Sequence, residues 1–202
     1  MEWVILDDGD VDISDLFREA AKTIPNIRYI HETEKQLIGK KRNRLNKESK
    51  GDIIVAMDDD DYYPPDRVAH VVTHFKKKPN VELAGASEIY MYYSDIQTIY
   101  KFGPYNSQHA TNGTMAWRRS YANTHRYDES VTHAEERSFL DDYKNPMIQL
   151  DPFKVMLVMS HSENTFDKKK LRESPSPVVK KTDMKMKMFI KEKKLRDFFA
   201  TA

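Results

Sequence analysis

Residues 51–68 read GDIIVAMDDDDYYPPDRV, and this stretch decides the fold class. The β-branched run at 52–57 (DIIVAM) predicts a buried strand. It ends abruptly in four carboxylates, Asp58, Asp59, Asp60 and Asp61. Pro64-Pro65-Asp66 then opens a helix over about 66–77, with Val68, Val71, Val72 and Phe75 at helical spacing. Upstream, residues 2–6 (EWVIL) form a second apolar run, cut off by Asp7-Asp8-Gly9. Ser14 is placed to cap a helix over 15–23 that Pro25 stops. A strand follows at 27–30, then a very basic helix at 38–49, closing at Gly51. Downstream, strands are expected at 81–84, 89–93, 114–117 and 155–159, a loop at 103–113, and a helix at 133–143. Strands alternating with helices predict an α/β fold with a mostly parallel sheet flanked by helices. In such sheets ligands bind beyond the carboxyl ends of the strands. Two strands here end in acidic clusters, which places both clusters on one rim.

Composition narrows the function classes. The chain has 202 residues and no cysteine, which excludes disulfides, thiolate metal sites and a cysteine nucleophile. No apolar run reaches membrane-spanning length, and the acidic start lacks a signal-peptide pattern. These features point to a soluble cytoplasmic protein. The net charge of +1 conceals an asymmetry. Residues 167–202 hold 12 Lys/Arg against 5 Asp/Glu, a net of +7, while residues 1–166 carry a net of −6. An acidic body disfavours nucleic acid as the main ligand. The tail, with a basic amphipathic helix expected over 184–199 after the Ser174–Pro177 breaker, suits contact with an anionic membrane or a partner, or a link to further domains.

Four consecutive carboxylates after a buried strand repel one another unless a cation neutralises them. Hard divalent ions, Mg²⁺ or Mn²⁺, suit such oxygen ligands and readily take phosphate oxygens as well. The simpler reading is a solvated acidic turn preceding a helix, where negative charge is favourable in any case. An EF-hand is disfavoured, since the required Asp/Asn spacing, central Gly and twelfth-position Glu are missing.

The 51–68 stretch resembles the signature of family-2 glycosyltransferases, in which a strand runs into D-x-D-D-Y-x-P-P-D. The resemblance implies the GT-A fold, a nucleotide-sugar donor (UDP-sugar by default) and a divalent cation. It makes Asp60 the metal ligand, puts Asp58 on the ribose or the metal, and gives Asp61 the task of orienting the loop. Residues 3–9 (WVILDDG) are similar to the family's D-D-G strand, with Asp8 on the nucleobase. Residues 39–43 (GKKRN) resemble G-x-x-x-R-N, with Arg42 near the base or diphosphate and Lys40 and Lys41 as background charge. Residues 127–129 (YDE) and 133–136 (HAEE) resemble F-D-E…G-E-D, whose last aspartate is the usual general base. Glu136 takes that place, with Glu135 as its rival. Residues 157–165 (LVMSHSENT) resemble H-x-x-N-x-S, with His161 on the metal or diphosphate. Each motif also has a plain reading: a turn, a solvated basic helix face, an acidic helix start, a surface histidine. Trp117 is read as a sugar platform or a core residue, and Tyr90, Tyr92, Tyr93 and Tyr100 as strand packing.

The resemblance covers roughly residues 1–166, with 167–202 as a basic extension. Members of the family open with one further strand, V-S-V-I-I-P-T-Y-N-like, whose end contacts the nucleotide. The chain begins at the equivalent of their second strand: either upstream residues are omitted from this sequence, or the N-terminus is shortened, or the register differs. If the strand is absent, the base pocket loses one wall and weak nucleotide binding is expected. The function implied is an inverting, metal-dependent transfer of a hexosyl or deoxyhexosyl group to a hydroxyl of a glycan or glycoprotein. Alternatives are a nucleotide-sugar-binding module without catalysis, motivated by Glu in place of Asp, and a nucleotidyltransferase. The latter is disfavoured because no Gly-rich loop follows the first strand. The lack of Cys and of a signal, the cut-off domain start and the Lys-rich end resemble one domain of a larger cytoplasmic enzyme, such as a virus-encoded glycosyltransferase acting in a host cytoplasm.

Overall fold

The computed structural model describes residues 1–161, 168–173 and 175–201. The asparagine of the H-x-x-N-x-S segment, Asn164, and Ser174 of the breaker fall outside them. The chain divides into two compact units, residues 1–54 with 117–145, and residues 55–116 with 146–202.

The first unit contains strands β1 (Trp3–Asp7) and β2 (Ile27–His31), paired in parallel with Trp3 opposite Ile27 and Asp7 opposite His31. Helix α1 (Ser14–Ala20) joins them, and its Phe17 stacks on Tyr29 with ring centroids 4.8 Å apart. Ser14 is the first helical residue rather than the cap. The N-cap position is Ile13, which has no side-chain cap, and the Ser14 N–H donates instead to Asp12 Oδ1 at 2.8 Å.

Helix α2 (Ile38–Glu48) is pressed against the backbone of residues 127–129. A methyl on Gly39 would sit 2.0 Å from the Asp128 carbonyl oxygen, so only glycine permits this approach. Asn43 then clamps Tyr127 from both sides. Its Oδ1 accepts the Tyr127 N–H and its Nδ2 donates to the Tyr127 carbonyl, both at 2.9 Å. Helices α4 (Arg119–Thr124) and α5 (Glu136–Phe139) enclose the aromatic core of this unit. Tyr127 stacks on Phe139 at 4.2 Å, and Trp117 meets Phe139 edge-on at 5.0 Å.

The helix expected over 133–143 is a single turn, α5. Ala134 has φ of 56° just before it, and Asp141, Asp142 and Tyr143 have φ between 48° and 59° just after it. Three successive left-handed residues cannot continue a right-handed helix.

The chain crosses between units within β3 (Ile53–Val55) and β7 (Ala116–Arg118). In the second unit, α3 (Arg67–Lys77) buries Val71 and Phe75. Strand β4 (Leu83–Gly85) pairs in parallel with β8 (Met147–Gln149). A further sheet runs in the order β10 (Val179–Lys181), β6 (Thr98–Phe102), β5 (Ile89–Tyr93), β9 (Val158–Ser160). Its β5–β9 pairing is parallel, and its β5–β6 and β6–β10 pairings are antiparallel.

The basic tail is not an appendage. It contributes α6 (Lys169–Glu173), the edge strand β10, a 3₁₀ turn at Met186–Met188 and helix α7 (Lys193–Thr201). The single helix expected over 184–199 is thus two shorter elements. The reason lies in Phe189 and Ile190, which turn inward at 6 % and 0 % exposure to join Tyr62, Tyr90, Tyr92 and Leu157 in the core. Fully burying such side chains is worth ~1.5–3 kcal/mol each. Among the described residues no helix is long and apolar enough to cross a membrane.

Candidate functional site

The acidic turn after β3 belongs to the second unit and is fixed by its own residues. Tyr62 and Leu157 exchange two backbone hydrogen bonds, of 3.1 and 2.9 Å, as an isolated antiparallel bridge. Asp61 extends this stitch, because its Oδ1 accepts the Met159 N–H at 2.8 Å. Burial pushes the Asp61 carboxyl up to about 7; Lys168 opposes the shift and the charges of Asp60 and Asp58 add to it. Asp61 thereby grips β9 through its carboxylate. His161 is the residue that follows β9, and partly exposed, so the same bond ties residues 58–61 to the segment that carries it.

Asp58 is braced from below. Its N–H donates to the Tyr63 hydroxyl oxygen at 2.9 Å. Tyr63 is partly buried, and desolvation followed by the neighbouring Asp58 charge holds its phenol well above the ordinary range. Gly113 leaves room for both groups: a methyl there would stand 2.9 Å from Asp58 Oδ2 and 3.0 Å from the Tyr63 hydroxyl. Arg67, fully buried, donates through Nη2 to the carbonyls of Thr114 at 2.7 Å and Met115 at 3.1 Å. It thereby holds the chain on the far side of Gly113. Burial lowers the Arg67 guanidinium to about 10.

A lysine reaches the acidic turn. Lys168 Nζ lies 3.6 Å from Asp60 Oδ2 and donates to the Met159 carbonyl at 2.8 Å. Its own carbonyl accepts the Tyr93 hydroxyl at 2.9 Å, which anchors the backbone. Asp59 points outward and is exposed. Among the described residues no group of three or more His, Asp and Glu side chains is arranged to hold a metal ion. Asp58, Asp60 and His161 are therefore not a ready-made cage. Two carboxylates at a fixed turn still fit a Mg²⁺- or Mn²⁺-type ion, which commonly takes one or two carboxylates and completes its shell with water and phosphate oxygens.

In the first unit the remaining sequence-derived residues pair among themselves. Asp8 Oδ1 accepts from Lys41 Nζ and Oδ2 from the Gln36 N–H, both at 2.9 Å. Burial alone would raise the Asp8 carboxyl, but the Gln36 N–H and the Lys41 ammonium together hold it below the ordinary range. Lys41 is thus a specific partner of Asp8 and not background charge. Arg42 Nε donates to Glu135 Oε1 at 2.7 Å, with only 14 % and 8 % of the two side chains exposed. Lys41 and Arg42 are consecutive on α2, so its first turns bind Asp8 on one side and Glu135 on the other.

Glu135 is occupied in positioning Arg42, whereas Glu136, the first residue of α5, is partly exposed. Trp117 is core, with Nε1 donating to Asn46 Oδ1 at 3.0 Å. Tyr90, Tyr92 and Tyr93 are buried strand residues. Sequence reasoning missed Lys168, and it missed that Arg67 and Gly113 brace the acidic turn. Only the glycine carried a local signal, as a residue that permits close approach of backbone to a neighbouring group.

The family profile described as "Glycosyl transferase family 2" matches residues 1–128. No curated protein sequence matches the chain. Among solved structures, the mannosyltransferase PcManGT from Pyrobaculum calidifontis, in complex with GDP-Man and Mn²⁺, aligns with a TM-score of 0.60 at 16 % identity, over 81 % of this chain and 49 % of that one. S. aureus TarS 1–349 in complex with UDP-GlcNAc aligns with a TM-score of 0.62 at 16 % identity, over 81 % and 50 %. At these identities the likeness establishes the fold, which is GT-A. The chain spans about half the length of either structure.

Proposed function

The chain belongs to glycosyl transferase family 2, and on that premise we propose that it moves a sugar from a nucleoside-diphosphate sugar to an acceptor hydroxyl with inversion. The observation that carries this reading is the turn after β3. It bears Asp58 and Asp60, and it is locked to β9 through Asp61 and the Tyr62–Leu157 bridge. Asp60 and Asp58 would hold a Mn²⁺ or Mg²⁺ ion, with His161 on the ion or on the diphosphate. When bound, the ion offsets the charge that builds on the departing nucleoside diphosphate.

The chain's own residues do the rest. Asp61 and Tyr63 keep the turn in one geometry, so the donor meets a preformed site. Asp8, kept ionised by Lys41 and the Gln36 N–H, is an acceptor for a base N–H, which suits uracil and makes a UDP-sugar the default donor. Lys168 adds a positive charge beside Asp60, suited to a diphosphate oxygen. Glu136 takes the proton from the acceptor hydroxyl, whose oxygen forms the new bond to the anomeric carbon. The bond from that carbon to the diphosphate oxygen breaks on the opposite face, and the nucleoside diphosphate leaves. The acceptor is a glycan or glycoprotein hydroxyl, and residues 167–202 serve the fold as part of the second unit.

A donor hydrolysis and transfer assay with UDP-sugars and Mn²⁺ tests the reading. Turnover by the native chain is expected, with Asp60→Ala and Glu136→Gln each reducing it by at least about a hundredfold. Metal-dependent turnover that survives Asp60→Ala would overturn the assignment. Donor binding without turnover across an acceptor screen would make the chain a binding module.

A further inference from the structure

A cavity of about 520 Å³ opens in the first unit between α2 and α4, apart from every residue assigned above to donor or acceptor. Lys40, Arg44 and Lys47 line it from one face of α2, at i, i+4 and i+7 spacing. Arg119 and Arg126 line it from the α4 side, with Ala122 between them leaving the space open.

Arg44 is matched by Glu48 at 2.7 Å. The other four cations form no ion pair among the described residues. Arg119 is held by backbone instead, its Nε and Nη2 donating to the Gly51 carbonyl at 3.0 and 2.6 Å. Arg126 is likewise fixed on the Ala122 and His125 carbonyls. Carbonyls fix a guanidinium in place without cancelling its charge. The single acid in the lining, Glu129, accepts from Asn43 Nδ2 at 2.9 Å.

A second, independent feature stands at the floor. Asn46 is 7 % exposed and its Nδ2 has no hydrogen-bond partner among the described residues. Its Oδ1 accepts the Trp117 indole N–H, which fixes the amide orientation, since a flipped amide would set two donors against each other. A buried donor without a partner costs ~1–3 kcal/mol. Asn46 also lines the cavity, but its Nδ2 has almost no accessible surface, so an oxyanion in the groove would reach it only after a small shift of the side chains over it.

We propose that this groove is a binding site for a multiply charged phosphate group, of the size of a diphosphate or short polyphosphate, carried by a small molecule or by the end of a larger one. The cavity falls within the ~300–1,000 Å³ of small-ligand sites. The reading is independent of the donor site, which lies on other residues.

Calorimetric titration with pyrophosphate in metal-free buffer containing EDTA tests it. The native chain and Asp60→Asn are expected to bind alike, and the Lys47→Glu/Arg126→Glu pair to bind at least about tenfold more weakly, with affinity falling as salt rises. These are surface side chains, and an unchanged melting temperature confirms folding. If the charge-reversed pair does not fold, Lys40→Gln/Arg126→Gln provides the comparison. Absence of pyrophosphate binding overturns the proposal. So does binding that is lost in Asp60→Asn and kept in the groove variants, because the phosphate would then occupy the donor site. A single-stranded oligonucleotide that binds through the same residues with higher affinity per phosphate would make the groove a nucleic-acid surface and also overturn it.

Discussion

Replacing Arg42 by Met leaves the Glu135 carboxylate, 8 % exposed, without its cation. The cost follows from that burial. An exposed pair such as Arg18–Asp15, with side chains 72 % and 88 % exposed, contributes under ~1 kcal/mol because water solvates both charges when they part. Glu135 has no such recourse. Breaking a buried pair by removing one member costs ~3–5 kcal/mol, whereas replacing both by apolar groups of similar volume is often nearly neutral. Arg42→Met and Glu135→Leu are therefore each expected to destabilise the chain by about 3 kcal/mol or more, and the double variant by much less than the sum. At ~2–4 °C per kcal/mol for a chain of this size, each single variant lowers the melting temperature by roughly 6–12 °C. Urea denaturation followed by tryptophan fluorescence, run as a double-mutant cycle, measures the coupling. Single variants that cost under ~1 kcal/mol, with an additive double, would show that Glu135 does not depend on Arg42. They would also remove the ground for making Glu135 a positioning residue and leaving proton abstraction to Glu136.

Gly113→Ala sets a methyl 2.9 Å from Asp58 Oδ2 and 3.0 Å from the Tyr63 hydroxyl. Overpacking of this kind costs ~1–3 kcal/mol, and donor binding should fall further than stability does, as calorimetry alongside a melting curve would reveal. Phe189→Ala removes a ring stacked on Phe153 at 5.0 Å and packed with Tyr90 at 5.3 Å, so a loss of ~3–5 kcal/mol in urea denaturation is expected. A near-neutral result would mean that the basic tail is an appendage after all. Asp8 is held ionised by the Gln36 N–H and Lys41, so its folded-state carboxyl titrates below its unfolded one. Its contribution to stability is present above the ordinary aspartate range and disappears as pH falls through the depressed folded value. Lys41→Met should move the Asp8 titration upward in an NMR pH series, and an unmoved Asp8 would mean that the ion pair does not form.

Much of the fold was legible where hydrophobic period and turn chemistry agree. The strand before the acidic turn, helix α3 behind Pro64-Pro65, and β5 each follow from a local run of side chains. Strand β6 went unread because Thr98–Phe102 alternates weakly and is defined by pairing with β5 and β10, which no local window contains. The tail misled for a related reason. Its lysines are locally dominant, but Phe189 and Ile190 decide the path by joining a core that includes Tyr90, Tyr92 and Ile99, about ninety to a hundred positions away. The same limit governs the site. The run of aspartates names the turn, yet Lys168, whose ammonium stands beside Asp60, sits in a stretch of lysines with nothing local to distinguish it. Arg42 carries a motif that could mean ligand or scaffold. Only the fold supplies Glu135, 93 residues away in sequence, as the group it holds.

In the proposed reaction Asp58 and Asp60 hold a donor diphosphate through a divalent ion. Titrating a UDP-sugar into the chain with Mn²⁺, and again after chelation, for the native sequence and for Asp60→Asn, tests this most directly. Donor binding that requires the ion in the native chain and is lost in Asp60→Asn is the expected result. Binding of equal strength with and without the ion, unchanged in Asp60→Asn, would contradict it.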